Sequence, residues 1–208
     1  MAMQSPRFIV IGAGMAGILS AVKLAEAGYD DVVLYEKADR IGGTWRENTY
    51  PGVACDVPSH LYSYSFAPNP EWSHTFSPGP EIYRYLEDVV RRFGIDERIR
   101  FGSEVTRLEY DGGRWRLETA DGARDEADVV IAATGVLHHP RYPDIDGLDD
   151  FGGPVFHTAR WDHSVSLEGV RLGVIGTGSS AVQIVGAVVD TVEELRLFQR
   201  TAQWVLPV

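Results

Sequence analysis

Residues 8–11 read FIVI, bounded by Arg7 on one side and Gly12 on the other. A short apolar run that ends in glycine predicts a buried strand entering a tight turn, here over residues 7–11. Residues 15–27 then place apolar side chains at helical spacing and stop at Gly28, which predicts a helix with a glycine terminator. A second buried strand is expected over residues 32–36. Strand, glycine turn, helix and strand in that order describe a parallel pair joined by a crossover helix. The same order returns late in the chain. Residues 171–175 form an apolar run into glycine, residues 179–189 have helical spacing, and residues 194–199 form another strand. The chain therefore carries one internal repeat.

Between the repeats the pattern changes. Residues 38–80 show no long period and are rich in Gly and Pro, yet they hold Trp45, Tyr50, Tyr62, Tyr64, Phe66, Trp72 and Phe76. A solvated linker has no use for so many aromatics, so an ordered loop packed on a site is expected. A helix is expected over residues 80–93, with Pro80 in its first turn and Gly94 as its stop. Strands at 104–110 and 114–119 are joined by Asp111-Gly112-Gly113, a hairpin signal. The most apolar run of this region, 127–133, leads into Ala133-Thr134-Gly135. Residues 136–168 are a loop-rich connector. The fold class is α/β, with two Rossmann-like dinucleotide-binding units and the second incomplete. Residues 1–139 are assigned to the first domain and residues 140–208 to the connector and the partial second domain.

Composition narrows the chemistry. The chain has 208 residues, of which 44% are hydrophobic, enough for a sizeable core. Its net charge of −11, from 30 acidic and 19 basic residues, argues against a nucleic-acid surface. One cysteine, Cys55, excludes an internal disulfide or a dithiol redox pair and fits a reducing cytoplasm. Its role is read as packing. No membrane span, secretory leader or metal-ligating cluster is expected.

The two glycine loops carry the chemistry. The first runs from Gly12 through Gly14 to Gly17; the second comprises Gly176, Thr177, Gly178, Ser179, Ser180 and Ala181. In such a loop the first glycine makes the turn and the second lets backbone approach a pyrophosphate. The third position must be small so that helix and strand close up. The phosphates then face the helix N-terminus, where backbone N–H groups and the dipole favour anions. Glu36 lies 19 residues after Gly17, in place to bind ribose hydroxyls, and Arg200 lies 19 residues after Ala181. A carboxylate suits a free ribose and a guanidinium suits a 2′-phosphate. The pattern predicts two different dinucleotides, one such as FAD and the other NADP(H).

One more pattern goes beyond nucleotide binding. Phe151, Gly153, His157 and Trp161, followed by Asp162, match F-x-G-x-x-x-H-x-x-x-W-[P/D]; Gly43, Trp45, Tyr50, Pro51, Gly52 and Asp56 lie in GGTWRENTYPGVACD. With both glycine loops, these residues make the chain resemble the Baeyer–Villiger monooxygenases. The resemblance implies that NADPH reduces FAD and that the reduced flavin activates O2. One oxygen is then inserted beside the carbonyl of a small-molecule ketone to give an ester or lactone. It implies flavin contacts for Thr44, Trp45, Glu47, Tyr62 and Val105, with Arg46 departing from the aromatic often seen there. It implies a catalytic Asp56 beside the flavin, and an NADP site at residues 176–181, Arg200 and Thr201. His157 and Trp161 are expected to couple domain motion to catalysis across a connector that Gly152 and Gly153 make pliant.

The family's members are more than twice as long as this chain and supply a further arginine from later sequence. A missing C-terminal segment or a second chain is therefore expected to complete the site. An exposed apolar edge is expected on the partial second sheet. Two other readings stand beside the ketone monooxygenase: a flavin-containing enzyme oxygenating nitrogen or sulfur, and a non-catalytic nucleotide-binding fragment.

Overall fold

A computed structural model describes residues 5–204. The chain divides into two compact units that it enters more than once. Among the described residues the first comprises 5–46, 64–68 and 80–138, and the second 47–63, 69–79 and 139–204. Among the described residues no helix is long and apolar enough to cross a membrane.

The first unit is built on β1 (Phe8–Ile11), α1 (Met15–Glu26) and β2 (Val32–Tyr35). Helix α2 (Thr44–Glu47) begins in this unit, and α3 (Gly79–Arg92) lies almost wholly within it. β3 (Ile99–Arg100), β4 (Val105–Asp111), β5 (Arg114–Thr119), β6 (Arg124–Ala127) and β7 (Val129–Ala132) complete it. A parallel four-stranded sheet has the order β3-β2-β1-β7. Its central strands are apolar on both faces, as a covered parallel sheet requires: Ile9, Val10 and Leu34 are fully buried. β4, β5 and β6 form a separate antiparallel sheet. Gly112 and Gly113 both take positive φ in the turn between β4 and β5, as the hairpin signal requires.

The run expected as one strand over 127–133 is two. Ala127 ends β6 in the antiparallel sheet and Val129 begins β7 in the parallel one. Asp128 makes the crossing: its N–H and that of Val129 donate to the Arg7 carbonyl, and its carboxylate accepts the Arg7 N–H at 2.8 Å. A charge cluster ties the same region to β2. The Asp125 carboxylate accepts from the Arg7 guanidinium and the Tyr35 hydroxyl, each at 2.7 Å, and Arg100 donates to the Tyr35 oxygen at 2.6 Å. Burial, followed by the hydrogen bond to Asp125, pushes the Tyr35 hydroxyl up to about 12. Burial also acts to raise Asp125, but the hydrogen bonds from Arg7 and Tyr35 outweigh it and hold this carboxyl below its ordinary range.

The second unit repeats the motif with β8 (Arg171–Ile175), α4 (Ser179–Val188) and β9 (Glu194–Phe198). β8 and β9 pair in parallel and make a two-stranded sheet on which Ile175, Leu197 and Phe198 stand exposed. α4 buries Ala181, Ile184 and Val188. Ile184 and Val188 join Tyr50, Val53, Trp161, Leu167, Leu172, Val192 and Leu195 in one apolar cluster. The aromatic loop is ordered, as expected: Tyr50, Tyr64 and Trp72 are buried, although Phe76 is exposed.

Candidate functional site: two glycine cradles

In the first unit, Gly12 follows β1 with φ +104°, and a Cβ there would sit 2.5 Å from the Ala133 carbonyl oxygen. A Cβ on Gly17 would lie 1.9 Å from the Gly12 carbonyl oxygen. Both positions exclude every other residue, for the reasons the spacing implied. Gly14 has a different job. It is the extended N-cap of α1 and makes no side-chain cap bond, and the backbone of Gly43 closes on it, 3.6 Å from where a Cβ would stand. Gly42 donates its N–H to the Ala13 carbonyl at 3.0 Å, which brings the start of α2 beside the loop. On that short helix Thr44 is exposed, while Trp45 and Glu47 are half-buried.

Glu36 directly follows β2 and is buried. Its carboxylate accepts the Ala13 N–H at 2.8 Å and the Ala38 N–H at 3.0 Å, so it is oriented at the mouth of the glycine turn. Arg46 completes the arrangement. Its guanidinium lies 3.1 Å from the Glu36 carboxylate with both side chains under a tenth exposed, and it also donates to the Arg40 carbonyl at 2.7 Å. Sequence reasoning noted Arg46 only as a departure from an aromatic; no local spacing signals its ion pair. Val105 packs its side chain into the cluster of Ile9, Val33, Tyr35, Leu117 and Ala127.

In the second unit, Gly176 follows β8 with φ +112° and Gly178 is the extended N-cap of α4, again without a side-chain cap. No atom lies within 4 Å of a Cβ built on either glycine, so only the turn at Gly176 demands glycine. The third position, Ala181, is buried. Thr177 donates to the Thr201 carbonyl across 3.5 Å, and Arg200 is exposed just past β9.

The strand register corrects one expectation. Tyr35 pairs with Ile11 and its carbonyl accepts the Gly12 N–H; Phe198 pairs with Ile175 and accepts the Gly176 N–H. The residue after Phe198 is Gln199, so Gln199 is the counterpart of Glu36, and Arg200 falls one position further, equivalent to Lys37. The equal sequence spacing hid a difference in element lengths: the link from helix to strand is the same in both units, but α4 has ten residues against twelve in α1 and β9 five against four in β2. Lys37 itself contacts His138.

Asp56 lies in the second unit. Its carboxylate is exposed and accepts the Ser179 hydroxyl at 2.7 Å, at the first turn of α4. Tyr62 lies in the same unit, in a turn where its N–H donates to the Pro58 carbonyl at 3.0 Å. Burial raises the Cys55 thiol, consistent with packing.

The Phe151–Trp161 segment is also in this unit. His157 caps a 3₁₀ turn (Thr158–Arg160), its Nδ1 accepting the Ala159 N–H at 3.1 Å, while its own N–H donates to the Tyr142 hydroxyl at 3.0 Å. Trp161 meets Phe156 edge-on and enters the apolar cluster of α4. Phe151 is exposed. Gly152 and Gly153 are not among the glycines with positive φ. What glycine allows at 153 is the Phe151 ring, 2.8 Å from the position of a Cβ.

These features fit dinucleotides. Each cradle joins a glycine turn to an uncapped helix N-terminus, the environment that backbone donors offer a pyrophosphate. Comparison with known proteins agrees. A family model described as pyridine nucleotide-disulphide oxidoreductase matches residues 9–206. A Baeyer–Villiger monooxygenase of Streptomyces coelicolor is 54% identical over 203 residues, covering 97% of this chain and 39% of the relative. An ε-caprolactone-bound cyclohexanone monooxygenase superposes with a TM-score of 0.88 at 42% identity, covering 98% of this chain and 41% of the other. A structure described as OTEMO in complex with FAD and NADP gives a TM-score of 0.86 at 36% identity, covering 97% and 40%. The chain thus spans about 40% of the length of the proteins it matches. The resemblance first carried by the two glycine loops and the Phe151–Trp161 spacing is borne out.

Proposed function

We infer that this chain, which belongs to the pyridine nucleotide-disulphide oxidoreductase family, supplies the FAD and NADP(H) cradles of a Baeyer–Villiger monooxygenase. The observation that carries this reading is the pair of strand–helix–strand motifs, each with an extended glycine at the N-cap and no side chain capping the helix. Cys55 is the single cysteine of these 208 residues, so they hold no dithiol pair of their own.

Gly12 and Gly17 shape the first cradle for the FAD pyrophosphate, and Glu36, held by two backbone N–H groups and Arg46, accepts from the adenosine ribose. Gly176 to Ala181 form the second cradle, with Arg200 as the cation for the 2′-phosphate of NADP(H). Asp56, which accepts the Ser179 hydroxyl at the first turn of that cradle's helix, is the residue assigned to the reacting centre. Bound flavin supplies hydride acceptance from NADPH and activation of O2 for insertion of one oxygen beside a ketone carbonyl, giving an ester or lactone.

Incubation with FAD, NADPH, 18O2, cyclohexanone and a thioether tests the reading. Label in a lactone supports it. Sulfoxide without lactone favours a sulfur- or nitrogen-oxygenating enzyme. Retention of both nucleotides without NADPH consumption favours a nucleotide-binding module.

A further inference from the structure

We propose that Gln183, which lies outside both glycine loops, is a positioning residue that couples occupancy of the second cradle to the placement of Asp56. Its side chain reads the backbone of the Tyr50–Asp56 loop as a neighbouring strand would. The Gln183 Oε1 accepts the Tyr50 hydroxyl at 2.8 Å and the Ala54 N–H at 3.3 Å, and its Nε2 donates to the Ala54 carbonyl at 2.9 Å. One turn earlier on α4, Ser179 donates to Asp56. Residues four apart share a helix face, so one face of α4 holds both ends of this loop.

The backbone packs equally closely. Gly52 takes φ +78°, and a Cβ there would lie 2.6 Å from the Gln183 carbonyl oxygen and 2.9 Å from the Ala187 Cβ. The Tyr50 ring completes the contact against Ile184 and Val188. Every side-chain partner of the loop named here belongs to the helix whose N-terminus forms the second cradle. A ligand that orders that N-terminus must therefore also favour the docked loop, and by linkage a docked loop must favour the ligand.

The inference rests on the assignment of NADP(H) to the second cradle, and hydrogen exchange on the intact chain with and without NADP+ separates the two. Protection of amides 176–181 reports the cradle, and protection of amides 50–56 reports the loop. We expect NADP+ to slow exchange at both, by about fivefold or more at 50–56. Q183M keeps the side-chain length and removes all three hydrogen bonds, so it should bring the effect at 50–56 below about twofold while 176–181 stay protected. Y50F removes one bond, keeps the ring in its cluster, and should fall between. Protection at 176–181 with none at 50–56 in the unmodified chain overturns the coupling and leaves the cradle assignment standing. Protection at neither overturns both. Equal protection of 50–56 in the unmodified chain and Q183M overturns the role of Gln183.

Discussion

The Cα of Gly17 faces the carbonyl oxygen of Gly12 so closely that a Cβ would stand 1.9 Å from it. No rotamer relieves that contact, because both partners are backbone. Gly17→Ala must push α1 away from β1. Overpacking of a core costs about 1–3 kcal/mol, and a backbone clash of this depth belongs at or above the top of that range. Urea unfolding should show the loss, and the variant should fail to retain FAD on gel filtration. A variant as stable and as yellow as the parent would refute the geometry.

The buried pair of Glu36 and Arg46 makes a second prediction. Arg46→Met leaves a buried carboxylate without its cation, a change that costs about 3–5 kcal/mol. The double variant E36Q/R46M removes the stranded charge but sets an amide NH2 against one of the two backbone N–H donors, so it should recover only part of that loss in urea unfolding. FAD affinity should fall in the double variant, since Glu36 is the assigned ribose acceptor.

On the proposed assignment, Arg200 serves the 2′-phosphate and Gln199 the position equivalent to Glu36 in the second cradle. A charged hydrogen bond contributes about 1.5–3 kcal/mol, so Arg200→Ala should weaken NADP+ binding roughly tenfold to a hundredfold. NAD+ binding should change little. Gln199→Ala, at the true counterpart of Glu36, should affect both coenzymes alike. Equal loss of NADP+ and NAD+ in R200A would remove the 2′-phosphate assignment; titration calorimetry reads all four combinations.

Burial of Tyr35 and its hydrogen bond to Asp125 make stability depend on pH at both extremes. Tyr35 stands at about 12 in the folded chain and ionises near about 10 when unfolded. A raised value stabilises below the unfolded pKa, so this contribution should disappear between about pH 10 and pH 12. Asp125 is held low. Its contribution is present above the unfolded value of about 3.9 and is lost as pH falls through the folded one. Urea unfolding across pH should show both slopes, with Y35F flattening the alkaline arm and D125N the acid arm.

What sequence alone determined is what depends on local backbone. Gly12, Gly17 and Gly176 had to be glycine because their turns require positive φ or leave no room for a Cβ. The repeated strand–glycine–helix–strand order follows from which residues can be buried at which period. The Phe151–Trp161 spacing pointed to its family because the spacing is itself the signature. Tertiary structure decided everything that depends on alignment between distant segments. The one-residue offset that makes Gln199 rather than Arg200 the equivalent of Glu36 exists only in the pairing of β8 with β9. The split at Asp128 exists because two sheets compete for one run of chain, and β6, whose residues are RDEA, carries no apolar signal. The pairing of Arg46 with Glu36, and the grip of Gln183 on the Tyr50–Asp56 loop, join residues whose partners are chosen by burial. A hydrogen bond gains its value from the desolvation it offsets, and which groups lose their water is settled only when the chain has packed.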